Sequence, residues 1–138
     1  MSKIVKVYKL SNGLNVYIYD ETVRYFCNYF NVILKLSAPI NISSSIFDDI
    51  EQYKEVKELL GEKVEYFKMI KKNAVVEDML NSIKEEMLKD FEENSLPYLA
   101  KNSFIKKFIL RRLKEKKKEL EIERLRKELS EREDSSTF

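Results

Sequence analysis

Apolar and polar residues alternate along much of the first forty positions, which is typical of half-buried β-strands. Lys3–Leu10 alternates in part, and the following Ser11-Asn12-Gly13 predicts a hairpin turn because Asn and Gly tolerate positive φ angles. The apolar residues of the returning strand are Leu14, Val16 and Ile18. A third strand should run from Tyr29 to Ser37 and end at Ala38-Pro39, since proline cannot donate to a ladder. The pattern predicts an antiparallel meander with one buried face.

The spacing of apolar residues then changes to three and four, which predicts helices. The first helix should contain Ile46, Ile50, Tyr53, Val56 and Leu60. Ser44 or Ser45 can cap its beginning, and Gly61 stands where a glycine is favoured after a helix end. Alternation returns over residues 63–71, so we expect a fourth strand there, exposed enough to lie near an edge of the sheet.

Two more helices are predicted in the second half of the chain. The apolar side of the second comprises Val76, Met79, Leu80, Ile83, Met87 and Phe91. Asn94-Ser95-Leu96-Pro97 should stop it. A third should begin at Asn102 or Ser103 and continue to Glu133, which makes it about 45 Å long at 1.5 Å per residue.

Together these elements predict an α+β fold in the order β-β-β-α-β-α-α, in which a small antiparallel sheet packs on helices and a long charged helix ends the chain. We expect residues 1–113 to form a compact domain that includes the start of the third helix. Residues 114–134 should project from it as a charged helical arm, and residues 135–138 should fray.

The long third helix changes its apolar side along its length. Residues 104–110 are apolar nearly all round, as in a helix segment enclosed by other elements. Further on, the apolar residues that remain in register are Ile122, Leu125 and Leu129, which we call the seam. The seam is one heptad long, which is too short to define a coiled coil. Two interpretations stay open: a solvated charged helix, or a docking surface for another protein or a second copy.

Charge is segregated, although 26 Lys and Arg nearly balance 24 Asp and Glu. Residues 101–118 contain one acidic side chain, Glu115. Their basic side chains are Lys101, Lys106, Lys107, Arg111, Arg112, Lys114, Lys116, Lys117 and Lys118. This basic block can be neutralised by the acidic first and second helices, which is the interpretation we favour. It can also bind nucleic-acid phosphates. Binding to an anionic membrane surface is the least favoured alternative.

The residues that are missing argue against most enzymes. The chain has no histidine, so it lacks the usual Ser-His and Cys-His catalytic units and imidazole metal ligands. Its two glycines cannot build a phosphate-binding or dinucleotide-binding loop. No carboxylate pair has a spacing that points to a metal. We therefore predict no catalytic residue, no metal and no cofactor.

Aromatic residues are concentrated near the N-terminus: Tyr8, Tyr17, Tyr19, Tyr25, Phe26, Tyr29 and Phe30. On an open sheet face such side chains can stack on the bases of single-stranded nucleic acid, although they are also good strand formers. Cys27 lies among them, and we expect it to be buried as a small apolar residue.

The sequence contains no signal peptide and no transmembrane segment, so we expect a cytoplasmic protein. The leading functional hypothesis is a non-enzymatic interaction or assembly protein that docks through the seam on its third helix. The alternative is a nucleic-acid-binding protein that uses the basic block and the aromatic residues of the sheet.

Overall fold

The computed structural model describes residues 3–135 and confirms the α+β class. Its antiparallel sheet has the strands β1 (Lys3–Lys9), β2 (Asn15–Asp20), β3 (Val23–Phe26), β4 (Tyr29–Asn41) and β5 (Lys63–Val76). Its helices are α1 (Ile50–Leu60), α2 (Leu80–Asn94), α3 (Leu96–Leu99) and α4 (Phe104–Ser135). The long final helix is therefore confirmed at 32 residues.

Several element boundaries differ from the prediction. The structure adds the strand β3 and the one-turn helix α3, each of which is too short to show a periodic pattern in the sequence. The last strand continues to Val76, so this residue does not begin a helix. The first helix starts later than expected, because Asp49 caps it by accepting a hydrogen bond from the Glu51 N–H at 3.0 Å. Gly61 ends it with φ of 85°, as predicted.

The predicted hairpin between β1 and β2 is confirmed, and Asn12 is its main polar residue. Gly13 has φ of 89°, which glycine adopts without strain. The Asn12 side chain accepts a hydrogen bond from Leu14 N–H at 3.1 Å. Its amide group donates to the carbonyls of Leu99 at 2.7 Å and Lys101 at 2.9 Å. Asn12 therefore joins the hairpin turn to the segment that follows α3.

The central strand of the sheet is β4. It pairs with β5 along its whole length, and on its other side with β3 near its start and β2 near its middle. Pairing with β2 ends at Ser37, so Pro39 has a strand on one side only. The strand can therefore run through Pro39 to Asn41, because the open side needs no N–H donor there.

The two faces of the sheet differ in burial. The core face carries the buried side chains of the sheet, and they are Val16, Ile18, Val32, Leu34, Leu36, Ala38, Ile40, Val64 and Val75. Phe91 of α2, Leu99 of α3 and Phe104 are also buried, and Phe104 meets Tyr66 edge-on with 5.8 Å between ring centroids. The opposite face, here called the open face, carries the odd-numbered residues of β4, and none of them is buried.

Polar contacts connect α2 to the first two strands. Glu92 accepts hydrogen bonds from Lys6 at 2.7 Å and from the Tyr8 hydroxyl at 2.6 Å. The Tyr8 ring lies 5.8 Å from the ring of Phe91. Burial, reinforced by the Glu92 hydrogen bond, raises the pKa of Tyr8 to about 12. At the other end of α2, Lys84 pairs with Asp20 at 2.8 Å.

Contacts between Cα atoms divide the chain into two units. One unit comprises the residues up to Asn41 together with Lys63–Ile105, so it holds the sheet, α2 and α3. The second comprises Ile42–Glu62 and the chain from Lys106 onward, so it holds α1 and most of α4. Nothing tests the predicted boundary between 113 and 114, which stays a prediction. Of the predicted frayed tail, residues 136–138 lie outside the described residues.

The second unit has a small apolar core. Val56 of α1 and Ile109 and Leu113 of α4 are buried. Asp48 forms an ion pair with Lys106 at 3.5 Å, and Glu55 forms one with Lys117. Apolar burial and ion pairing therefore act together where α1 accompanies the first half of α4.

The ion pair of Asp20 makes stability depend on pH. Partial burial favours the neutral acid, but hydrogen bonds from Lys84 and Thr22 outweigh burial and hold the pKa of Asp20 below its ordinary value. A lowered native pKa stabilises the fold above about pH 4, and this contribution is lost as pH falls through the native pKa. We expect Asp20→Asn to lower the free energy of unfolding by about 1 kcal/mol at neutral pH and much less in acid.

Urea denaturation at neutral and acidic pH measures this difference. Asp78→Asn is the control, because Asp78 is exposed and makes no comparable ion pair within residues 3–133. The amide oxygen that Asp20→Asn introduces can still accept the Thr22 N–H, so the substitution isolates the charge. Equal stability of Asp20→Asn and the unsubstituted protein at neutral pH would contradict the assignment.

Candidate interaction surfaces

The seam of α4 is open to solvent. The exposed fractions of Ile122, Leu125 and Leu129 are 43%, 45% and 57%. Every residue from Lys117 to Glu133 is exposed, so this part of the helix contributes no buried side chain. The structure brings the three apolar residues together on one side of the helix, as expected from their spacing.

Ion pairs along the arm are local and exposed. Arg124 contacts Glu121 at 2.5 Å and Glu128 at 3.1 Å, one helical turn to either side. The Arg124 guanidinium lowers the pKa of Glu121. Such pairs contribute only a few tenths of a kcal/mol each. They support helical structure but do not cover the seam.

The basic block is only partly neutralised. Within the second unit, Lys106 pairs with Asp48 and Lys117 with Glu55, as expected if acidic helices supply the countercharge. Arg112 pairs with Glu115 at 2.7 Å in its own helix. Lys101 instead lies over the ring of Tyr98, 5.8 Å from its centroid. Neutralisation inside the chain therefore accounts for some of the block and leaves the rest.

The cations that remain form a stripe. They are exposed and have no acidic partner among residues 3–133: Lys107, Arg111, Lys114 and Lys118. Their spacing of four, three and four places them on one side of α4. Lys116 is half-buried and lies outside this stripe. We call the four residues the basic stripe.

The basic stripe and the seam share one side of α4. At about 100° per residue, Leu125 is at the same helical angle as Lys107, and all seven side chains fall within about 80°. A single face therefore begins as a row of positive charges and continues as a row of apolar residues. From Lys107 to Leu129 it extends for about 33 Å.

The open face of the sheet is a third exposed surface, and the pairing registers show which side chains it carries. Val7 lies opposite Tyr17, Tyr19 opposite Lys35, and Phe67 opposite Ser37. The large apolar residues exposed on this face are Ile4, Val7, Val23, Phe26, Tyr29, Phe67 and Met69. Phe67 and Met69 lie beside the middle of β4, whereas Val23, Phe26 and Tyr29 lie near its start.

The predicted aromatic cluster is divided between the two faces. Tyr8 and Phe30 belong to the core face, where they pair across strands with Val16 and Val75. Tyr17, Tyr19 and Tyr29 belong to the open face. Tyr25 is the extra residue of an irregularity in β3 and is exposed. Only part of the cluster can therefore stack on a ligand.

The exposure of Phe67 and Met69 on the open face is not evident from the order of the residues. Both lie on β5, beside Ser37 and Lys35 of β4. The alternation of residues 63–71 indicated a strand, but it could not show which set of side chains faces solvent. That outcome depends on pairing with β4, about thirty residues earlier in the chain.

The expectation that Cys27 is buried is wrong. Cys27 lies in the turn between β3 and β4 and is exposed. Its φ of 51° is a left-handed conformation that places the residue in the turn rather than in a strand. The aromatic neighbours that suggested burial, Phe26 and Tyr29, are themselves exposed on the open face.

Two further features that the described residues could contain are a metal site and a membrane-spanning helix. Over residues 3–133, His, Cys, Asp and Glu form no group of three that could hold a metal ion. None of the helices described has a stretch long and apolar enough to cross a bilayer. Phe104 and Ile109, which a surface-bound helix would insert into lipid, are buried.

Comparison with known proteins adds no functional information. No protein family, no curated protein and no solved structure matches this chain. Function therefore has to be argued from the seam, the basic stripe and the open face.

The reactivity of the Cys27 thiol tests directly whether the turn between β3 and β4 is exposed to solvent. We expect the folded protein to react with a maleimide at about the rate measured in urea, because Cys27 is exposed. Mass spectrometry of the adduct measures both rates, and Cys27→Ser is the control without a thiol. Modification that requires denaturant would show that the turn is covered.

Proposed function

We propose that this protein is a non-enzymatic interaction protein that docks on another protein through α4. The observation that carries the proposal is the seam, whose three apolar side chains lie exposed in a helix segment with no buried residue. Burying an exposed Leu or Ile side chain stabilises a complex by about 1.5–3 kcal/mol. The seam is therefore the part of α4 that gains most from a partner.

The stability of the arm supports the same conclusion. Between Glu119 and Glu133 no side chain is buried, so the helical structure of this segment depends on propensity and exposed ion pairs. A helix of this length is marginal in water without packing. A partner that covers the seam would supply the missing apolar burial.

The basic stripe favours another protein over a second copy of this chain. Two parallel copies would set the four cations of one stripe against those of the other, which repel each other. Two antiparallel copies aligned at Leu125 would bring only Lys118 opposite residues 3–133 of the other copy, so this part of the chain would leave most of each stripe uncovered. A helix with acidic residues opposite the stripe and apolar residues opposite the seam can cover the whole face.

Nucleic-acid binding is the second candidate function. It is supported by the same four cations, because each can neutralise a phosphate and release a counterion. Lys106, Lys117 and Arg112 are less available, since each already has a carboxylate partner. This candidate therefore rests on the stripe rather than on the whole basic block.

The docking proposal predicts binding to an acidic amphipathic peptide. The probe is a synthetic helix with Leu opposite the seam and Glu opposite the stripe, and fluorescence anisotropy measures its binding. We expect the double variant Leu125→Gln, Leu129→Gln to weaken binding by at least tenfold, because two apolar contacts are lost.

Leu120→Gln is the matched control for the docking experiment. Leu120 is exposed on the same helix, but at a helical angle well away from the seam. A second peptide with Lys in place of Glu should bind poorly. Equal loss in the control and the seam variant, or preference for the Lys peptide, would contradict the proposal. Light scattering that shows a dimer dissociated by the seam variant would identify a second copy instead.

The nucleic-acid candidate predicts binding that weakens steeply with salt. We expect Arg111→Glu, Lys118→Glu to reduce the affinity for a labelled oligonucleotide by at least tenfold and to flatten its salt dependence. Lys54→Glu, Lys89→Glu changes net charge equally but lies on α1 and α2, so it should have little effect. Absence of any mobility shift at low salt would remove this candidate.

A further inference from the structure

The open face of the sheet combines aromatic rings with a central cation. Lys35 lies on the middle strand, with its ammonium 5.8 Å from the ring centroid of Tyr19 and 5.2 Å from that of Phe67. Tyr19 is on one neighbouring strand and Phe67 on the other. Lys35 therefore stands between two rings on a rigid, strand-paired surface.

A small residue separates two rings in the next row. Tyr17 and Phe67 both lie opposite Ser37, on either side of β4. Since neighbouring strands are about 4.8 Å apart, the two aromatic positions are about 10 Å apart. The Ser37 hydroxyl donates a hydrogen bond to Glu65 at 2.5 Å, so this short side chain is directed toward the neighbouring strand β5. In this row, beside Lys35, two aromatic side chains therefore flank a small one on the open face.

The exposed apolar side chains of this face would gain free energy if a ligand or partner covered them. Phe67 is 49% exposed and Met69 39%, although both side chains project from paired positions of the sheet. Exposed apolar side chains that lie close together on a protein surface often belong to a binding site. Aromatic side chains on such faces gain free energy when a flat ring stacks on them.

The charges of the open face identify the class of ligand. Four lysines belong to it by register, Lys9, Lys35, Lys63 and Lys71, whereas Glu65 is its only acidic residue over β1–β5. Two copies packed face to face would bring these lysines toward each other. Single-stranded nucleic acid instead offers bases to the rings and phosphates to the lysines.

We propose that the open face binds single-stranded nucleic acid, with bases stacked on Phe67 and on Tyr17 or Tyr19 and a phosphate at Lys35. A duplex keeps its bases paired and stacked inside, so it cannot occupy the rings in this way. The inference rests on the second candidate function for its ligand class, but it uses residues that the basic stripe does not contain. Sequence selectivity is expected to be low, because every base has a face that can stack.

The test uses the full chain and a short labelled oligothymidylate, with a hairpin duplex of the same length as comparison. Anisotropy should show tighter binding of the single strand. Phe67→Thr, which keeps a good strand former, should weaken single-strand binding roughly 5- to 100-fold. Lys35→Gln should reduce the slope of log affinity against log salt by about 0.7. Ultraviolet cross-linking should attach the oligonucleotide to peptides of β2 and β5.

Phe26→Thr is the matched control on the same face. Phe26 pairs with Tyr29, about 26 Å along β4 from the Ser37 row, so this variant should bind as the unsubstituted protein does. Circular dichroism melting curves show whether the variants remain folded.

Different failures have different meanings. Oligonucleotide binding that is lost in Arg111→Glu, Lys118→Glu but unchanged in Phe67→Thr would overturn the open-face proposal. It would leave nucleic-acid binding through the basic stripe in place. Absence of binding to either probe would overturn both. Equal affinity for strand and duplex, or cross-links confined to α4, would also overturn the open-face proposal. So would an oligomer that Phe67→Thr dissociates, because the face would then be a protein interface.

Discussion

Burial along β4 on one face only is the constraint on which the rest of the structure depends. Its even-numbered residues from Val32 to Ile40 are buried, whereas its odd-numbered residues remain partly or fully accessible. Because β4 has strands on both sides, and paired residues share a face, its register fixes which side chains of β2 and β5 lie on each face. It determines that α2 and Phe104 belong with one face, and that Lys35 and Phe67 belong to the other. The apolar surface left open is thus a consequence of how the core was built.

The parts of the fold that could be predicted from sequence are those with local causes. The Asn12-Gly13 turn, the end of α1 at Gly61 and the unbroken length of α4 each follow from residues within one or two turns of chain. The strand β3 and the last residues of β5 could not be predicted, because they are held in place by pairing with Tyr29–Asn31. The prediction that Cys27 is buried was wrong for a related reason. Aromatic neighbours indicate burial only when the face of the sheet that carries them is covered.

The three candidate surfaces were predictable to different degrees. The seam follows from helical spacing alone, so the positions of Ile122, Leu125 and Leu129 could be predicted, and their exposure could not. The composition of the basic stripe depends on α1, because Asp48 and Glu55 remove two lysines from a block of nine cations. The open face depends on register between segments far apart in sequence. Its lysine between two rings has no signature in the order of the residues.

Local charge rather than net charge selects what these surfaces can bind. The chain as a whole carries +2, but interactions between exposed charges are screened over about 8 Å at physiological ionic strength. A ligand at Lys107 or Arg111 therefore meets the stripe and is little affected by the acidic residues near the end of α4, about 20 Å or more away. Glu92 and Asp20 are already paired with Lys6 and Lys84, and Asp20 lies opposite Leu34 on the core face rather than on the open face. A nearly neutral protein can thus present two positively charged surfaces, each beside exposed apolar side chains.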